Sequence, residues 1–344
     1  MTEQSRARQQ SATIYAVADL AQVSIATVSR VLQGSPVVTD KTRQKVLAAV
    51  EQLDYLPSGA ARSLAVRQHD TFGLVLPEMS GPYYADLLVG FETRAAELRQ
   101  SVMLVLAGTK GDGARAVRAL ASRVDGIAVM GTDVSHAGAT TKPIVVVAGD
   151  ARPGIEVITT ENTDSARRLT DHLLGDHGRT RLLFVGDPDA AHDVLERHAG
   201  FVAAHEARGL TPAPPVLAPF REAEGTAVAD RIIAGELDTD ALVCSNDELA
   251  LAIIARLVDS GTDVPGDIAV VGWDDVMTAR YVRPGLTTVR QPVREVGALA
   301  ADRLHHLVSG APPSDGRHVL PTEVVIRSSC GCPGAAGPQT SPRP

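Results

Sequence analysis

An all-α helix-turn-helix head followed by a larger α/β body is the fold class this sequence predicts. The body is expected to be two doubly wound, parallel-sheet subdomains with a cleft between them. Three observations lead there. The first fifty or so residues show helical periodicity and no strand pattern. From residue 71 onward, short continuous apolar runs alternate with amphipathic stretches, the pattern of parallel strands covered by helices on both faces. That alternation runs to about residue 160 and then begins again, which predicts two sheets.

Residues 1–12 are polar and are expected to be disordered. Ile14, Val17, Ala18 and Ala21 then recur at helical spacing on one face. Val23 is an apolar plug in a tight turn. Ser24 is placed to cap a second helix by accepting from its free N–H groups. Val28, Val31 and Leu32 turn inward, which leaves Ile25, Ala26, Thr27, Ser29 and Arg30 at the outer start of that helix. In a helix-turn-helix those positions enter the DNA major groove. An ordinary helical hairpin has the same periodicity, so the spacing alone leaves both readings open. Thr39 caps a third helix, with Asp40 in its first turn where the helix dipole favours an acid. Val46, Leu47, Val50 and Leu53 are expected inside, with Lys41, Arg43 and Lys45 outside, facing phosphates or solvent. Residues 54–57 end that helix. Residues 58–65 form a linker helix too short to persist alone.

In the body, strands are expected at 72–77, 102–107, 126–130 and 144–147, with helices at 83–98 and 114–123. After residue 160 come helices at 164–174, 197–208, 227–235 and 248–260, and strands at 181–185, 241–244 and 268–272. A helix at 293–308 and a strand at 318–326 follow, expected to return one to each half. The Gly/Pro-rich tail from Ser328 is expected to be disordered. Cys330 and Cys332 form a lone C-x-C. With no two further ligands evident nearby, inert thiols are expected and no metal site is assigned.

Composition narrows the function. The net charge is −8, yet residues 1–69 hold eight Lys/Arg against five acids, which leaves −11 for the remainder. A basic head on an acidic body suits a head that neutralises phosphates while the body stays off the nucleic acid. No run of apolar residues is long enough to span a membrane. The opening MTEQSRARQQSAT lacks the apolar core of a signal peptide, which predicts a cytoplasmic location. Three cysteines, two of them in the tail, do not make a disulfide framework. No G-x-S-x-G elbow and no G-x4-G-K-[ST] loop is present, and the histidines have no H-E-x-x-H spacing, so neither an enzyme nor a cofactor is expected. The rival is an exported solute-binding protein, which would need a signal peptide.

The string V-S-x-A-T-V-S-R-V-L followed by Q-G-S-P resembles the DNA-reading helix of the LacI/GalR family of bacterial repressors. Further strings resemble the family's sensor domain, which is itself similar to periplasmic sugar-binding proteins of type I. They are Arg123-Val124-Asp125-Gly126-Ile127, Arg197-His198-Ala199-Gly200-Phe201, Ser245-Asn246-Asp247, Val270 to Asp275, and Pro284 to Val289. Gln22 departs from the family, which usually has Gly there. So do Ser58-Gly59 after Pro57, and Ala148-Gly149-Asp150 where Asp-Arg is usual; Asp150 is a shifted substitute for that acid.

The resemblance implies a homodimeric transcriptional repressor that binds a pseudo-palindromic operator and is switched by a small, sugar-like effector. It implies a DNA-binding set of Thr13, Ser24, Ile25, Ala26, Thr27, Ser29, Arg30, Tyr55, Ala61 and Leu64. Leu64 would be a hinge-helix wedge that kinks the duplex from the minor groove. The implied domains are a head at 13–57, a hinge at 58–69 and a sensor at 70–327. Within the sensor, 70–160 and 290–315 form one subdomain, and 161–289 and 316–327 the other. Asn246 and Asp274 follow apolar strands, where ligands bind in α/β sheets. With Arg197, Tyr83, Tyr84 and Trp273 they are the expected effector contacts. Asn246-Asp247 also reads as a helix cap, Trp273 as core packing beneath the site, and Asp275 as a backbone brace.

Overall fold

The computed structural model describes residues 13–32, 35–55, 69–108, 113–131, 140–150, 153–314 and 316–333. It divides into two compact units, Met1–His69 and Asp70–Pro344. The expected disordered start, the linker helix with Ala61 and Leu64, and the tail beyond residue 333 lie outside the described residues.

The head consists of α1 (Ile14–Ala21), α2 (Ile25–Leu32) and α3 (Asp40–Gln52). Thr13 caps α1 by accepting from the Ala16 N–H at 3.3 Å, and Thr39 caps α3 by accepting from the Thr42 N–H. Gln22 takes the left-handed conformation, φ 52°, that its place in the turn demands and that Gly adopts without strain. Val17, Ala18, Val28, Val31, Val46 and Ala49 form the core. Leu47, expected inside, is 48% exposed. Val46, Ala49, Val50 and Leu53 share one helical face, and Leu47 sits about 100° away from Val46.

The body opens with a six-stranded, wholly parallel sheet in the order β10-β5-β4-β3-β1-β2. Its strands are β1 (Thr71–Leu76), β2 (Ser101–Leu106), β3 (Gly126–Met130), β4 (Ile144–Val147), β5 (Glu156–Thr160) and β10 (Arg317–Leu320). On one face α4 (Gly81–Glu97) lies against α10 (Val293–Val308), and on the other α5 (Gly113–Ala121) packs on β1 to β3. Gly90 and Gly297 bring α4 and α10 to backbone contact. A Cβ on Gly90 would meet the Arg294 carbonyl oxygen at 2.0 Å, and one on Gly297 the Leu87 carbonyl oxygen at 2.3 Å.

The second half has the parallel sheet β6 (Leu182–Val185), β7 (Ala241–Cys244) and β8 (Ala269–Val271). Its helices are α6 (Thr163–Asp171), continued by a π-helical turn at His172–Asp176, then α7 (His192–Glu206), α8 (Glu222–Ile233) and α9 (Asp247–Asp259). The strand expected over 318–326 is two strands. β10 joins the first sheet, and β11 (Glu323–Val325) pairs antiparallel with β9 (Thr288–Arg290). Pro321 between them has no N–H to continue a ladder. Part of the segment assigned to the second subdomain therefore belongs to the first. The chain crosses between halves after β5, after β9 and between β10 and β11. Thr322 ties two crossings together, donating to the Glu161 carbonyl at 2.9 Å and meeting Ser165 Oγ at 2.8 Å.

The tail does not loosen at Ser328. Ser329 donates to the Val270 carbonyl and accepts from the Thr287 N–H at 2.8 Å, and Cys330 is fully buried. These bonds to β8 and to the segment entering β9 occupy polar groups that composition alone leaves unassigned.

Glu156 anchors α10 to β5. Its carboxylate accepts from Arg303 at 2.6 and 2.8 Å, from the Ser314 N–H at 2.9 Å, and pairs with His318 at 3.2 Å. Burial pushes this carboxyl up, but the Arg303 guanidinium, the Ser314 amide and His318 outweigh it and hold the pKa down to about 2. A depressed acid stabilises the fold above its unfolded pKa and loses that effect as pH falls toward its folded one. Glu156→Gln is therefore expected to destabilise the body by about 3 kcal/mol near neutrality. The difference from wild type should shrink as pH falls from about 5 toward 2, read by denaturant unfolding of both proteins across that range.

Candidate functional site

In the head, Ser24 accepts from the Thr27 N–H at 3.2 Å and meets Thr27 Oγ1 at 2.9 Å. Capping fixes the start of α2, the end that in helix-turn-helix proteins enters a groove. Ile25, Ala26 and Arg30 are exposed, with Thr27 and Ser29 half-buried beside them. Two expected contacts differ. Tyr55 is buried in the head core, because Asp54 (φ 45°) turns the chain back over α3 and the Tyr55 N–H donates to the Val50 carbonyl. Arg43 donates to the Ser35 carbonyl at 2.7 Å, bracing the loop before α3, while Lys41 and Lys45 stay exposed.

In the body, a cavity of about 680 Å³ opens at the carboxyl ends of strands from both sheets, within the range of small-molecule sites. β1 leads to its Pro77, Glu78, Tyr83 and Tyr84; β3 and β4 to Met130 and Ala148; β6 to Asp193 and Arg197; β7 to Asn246 and Glu248; β8 to Asp274; β9 to Gln291. Five of the six expected contacts, Tyr83, Tyr84, Arg197, Asn246 and Asp274, thus come together.

Asn246 is both cap and wall. It accepts from the Leu249 N–H at 3.0 Å, which leaves its amide donors for a ligand. Arg197 is buried, donating from Nε to Asn162 at 2.9 Å and from Nη1 to the Ser245 carbonyl at 2.7 Å, with Asp193 at 3.6 Å. Trp273 does not line the cavity. It is 1% exposed, behind Arg197, whose guanidinium stacks over its ring at 4.6 Å.

Asp274 holds an uncommon backbone, φ 122°, next to Asp275 at φ 55°. Such strain persists only where surroundings over-determine it. The Asp274 N–H donates to the Val289 carbonyl at 2.8 Å, and Asp275 is clamped by Arg290 at 2.8 Å and by Arg327. Asp275 is therefore placed as a brace. Asp247 pins the same loop from below, accepting from Thr288 at 2.6 Å and from the Val276 N–H at 2.9 Å. Gln291 Nε2 donates to Asp274 at 2.6 Å, and its carbonyl accepts from Thr160 at 2.7 Å. Thr159 donates to Asp193 at 3.2 Å. The end of β5, where the chain crosses between halves, thus reaches two of the cavity acids, Asp274 through Gln291 and Asp193 directly.

Burial pushes the Asp274 carboxyl up, only partly opposed by Arg197 and Gln291, to about 7. Burial likewise raises Asp193 against Arg197, and raises the Tyr83 hydroxyl with help from Asp193 and Asp274. Tyr84 is pushed up to about 12 by burial, then by Glu78 and Asp274. Sequence reasoning missed Asp193 and Gln291. Gln291 follows β9 as Asn246 follows β7, and Asp193 sits one helical turn before Arg197. Asp150 lies outside the cavity wall and pairs with His192 at 2.8 Å.

A capped helix-turn-helix and a two-lobed α/β body with a ligand-sized cavity are the parts of a DNA-binding transcriptional regulator with a small-molecule site. The chain belongs to the LacI family: residues 13–58 match the family model described as bacterial regulatory proteins, lacI family, and residues 170–330 match a periplasmic binding protein-like domain. It is 33% identical to the HTH-type transcriptional repressor PurR of Aliivibrio fischeri over 92% of this chain and 98% of that one. It is 32% identical to the ribose operon repressor of Escherichia coli over 87% and 93%. Among solved structures it resembles a Lac repressor dimer bound to operator and the anti-inducer ONPF, with TM-score 0.83, 28% identity and coverage of 93% and 99%. It also resembles the transcriptional regulator CelR in complex with cellobiose, with TM-score 0.69, 29% identity and coverage of 92% and 99%. No single helix among the described residues is long and apolar enough to cross a membrane.

Proposed function

We propose that this chain is a cytoplasmic repressor that binds a pseudo-palindromic operator as a homodimer and is switched by a neutral, polyhydroxylated effector in the body cavity. The observation that carries the effector class is the cavity's charge. Asp193, Asp274, Glu248, Glu222, Glu78 and Asp187 line it against the cations Arg197 and Arg221. Carboxylates accept from hydroxyl donors, and the tyrosines and Pro77, Pro82 and Phe220 offer faces to a sugar ring. An anionic ligand such as a sugar phosphate would meet repulsion. Of the similar proteins described above, one is named the ribose operon repressor and another is a transcriptional regulator in complex with cellobiose, which supports the same class.

In the head, Ile25 and Ala26 suit methyl contacts with thymine, and Arg30 a guanine edge. Two copies present two heads, which calls for a two-fold site. Val89 on α4 and Leu104 and Leu106 on the edge strand β2 are exposed apolar residues available to a second copy. Ligand in the cleft stabilises one arrangement of the halves, and its coupling to DNA affinity equals its differential affinity for the two states. The links from Thr160 through Gln291 to Asp274, and from Thr159 to Asp193, tie the cavity to the crossing between the two halves of the body.

Thermal unfolding against neutral sugars, polyols, sugar phosphates and nucleosides tests the effector class. A ligand at about 100 times its dissociation constant should stabilise the chain by about 2.7 kcal/mol. A neutral sugar or polyol is expected to do so, with its phosphorylated counterpart silent. Stabilisation by phosphates alone would overturn the class.

A further inference from the structure

Four ligating side chains far apart in the sequence meet outside the cavity. The π-helical turn that continues α6 presents His172, and His177 follows it; the C-terminal turn presents Cys330 and Cys332. One ligand atom from each lies within 4.8 Å of all the others. His172 Nε2 is 3.1 Å from His177 Nε2, 3.4 Å from Cys330 Sγ and 3.5 Å from Cys332 Sγ, and Cys332 Sγ is 3.4 Å from His177 Nε2. A zinc ion with bonds of about 2.3 Å to sulfur and 2.0–2.1 Å to nitrogen needs tetrahedral edges of roughly 3.3–3.8 Å.

We propose that His172, His177, Cys330 and Cys332 form a tetrahedral Cys2His2 site for one divalent, thiophilic metal ion of the zinc class. The expectation of inert thiols rested on the lack of two nearby ligands, and the fold supplies them from 153 and more residues upstream.

Three further features belong to such a site. His172 Nδ1 meets Asp176 Oδ2 at 2.7 Å, which turns Nε2 toward the cluster, as carboxylates behind metal-bound histidines do. Thr287 donates to Cys330 Sγ at 3.1 Å, a bond that favours the thiolate. Gly331, at φ 109°, lets both cysteines face the same point, and a Cβ there would approach His177 Nδ1 at 3.0 Å. Two thiolates and two imidazoles select zinc over magnesium or calcium. With four protein ligands the coordination shell is complete, which makes the site structural. Each thiol releases its proton to solvent on binding. The ion would fasten the C-terminal turn, already bonded to β8, onto the end of α6.

The test uses the full chain, purified in reductant, stripped with chelator and titrated with Co²⁺ and then Zn²⁺. The expected result is one Co²⁺ per chain, with the visible bands of tetrahedral cobalt and a thiolate charge-transfer band, both abolished by one equivalent of Zn²⁺. Cys332→Ser should reduce the charge-transfer band that two thiolates give, and Cys332→Ser and His177→Asn should each weaken binding at least about 100-fold. Asp176 is 73% exposed at its side chain, so Asp176→Asn leaves the fold intact and should weaken binding about 10–100-fold. Absence of these bands in the reduced wild-type chain would overturn the proposal. So would a Cys330–Cys332 disulfide as the species purified under reductant, or cobalt affinity unchanged in Asp176→Asn together with His177→Asn.

Discussion

Asp274→Asn is expected to weaken effector binding by about 30–300-fold, the loss of one or two charge-assisted hydrogen bonds, while leaving operator affinity within about threefold. The substitution preserves size, and Gln291 Nε2 can still donate to the remaining oxygen from 2.6 Å. What changes is the second oxygen. A carboxylate accepts there, whereas an amide N–H₂ opposes a ligand hydroxyl with another donor. The pH dependence separates this account from simple steric damage. Burial pushes the wild-type carboxyl up, to about 7. A ligand that donates to the carboxylate requires it ionised, so its affinity should fall as pH drops below about 7, approaching tenfold per pH unit. In Asp274→Asn the part of that slope due to this carboxyl should vanish, leaving only what Asp193 contributes. Calorimetric titration at several pH values reads both. A ligand whose affinity is equal in both proteins at every pH would place the effector elsewhere.

Gly297→Ala is expected to destabilise the body by at least about 3 kcal/mol, at or beyond the upper end of overpacking effects. The new methyl would lie 2.3 Å from the Leu87 carbonyl oxygen and 2.7 Å from the Phe91 nitrogen, both backbone atoms of α4. No rotamer relieves that clash. α10 must move away from α4, and it carries Val296, Ala300 and Leu304 out of the core they share with Phe72, Leu74 and Phe91. Gly90→Ala meets the same crossing from the other side, at 2.0 Å from the Arg294 carbonyl. A fall in melting temperature of roughly 6–12 °C is expected for each. A fall of less than about 2 °C would mean that the helices do not touch as described.

Much of this architecture is legible in local patterns, because parallel strands buried on both faces are continuous apolar runs. Asn246 and Asp274 follow from the same logic, since ligands sit past strand ends. Three kinds of feature escaped it. Leu47 is a side-chain orientation, a one-residue offset on a helix, and Trp273 is open in sequence between ligand contact and core packing, which its ring behind Arg197 decides. Gln291 and Asp193 follow no motif, and their roles depend on Thr160 and Thr159 across the chain crossing. The pairing of Cys330 and Cys332 with His172 and His177 is a long-range contact that no spacing rule encodes. Pro321 did carry a local signal, its missing N–H, for the break between β10 and β11.

The proposed coupling runs between the DNA-reading head and ligand in the body cavity. Its most direct test selects a duplex from a random library with the full-length protein, then titrates that duplex at fixed salt with and without the cavity ligand found by thermal unfolding. The expected result is a two-fold symmetric selected site and a change in operator affinity of at least about fivefold on adding ligand, the low end of allosteric coupling. A ligand that stabilises the body yet leaves operator affinity unchanged would contradict it.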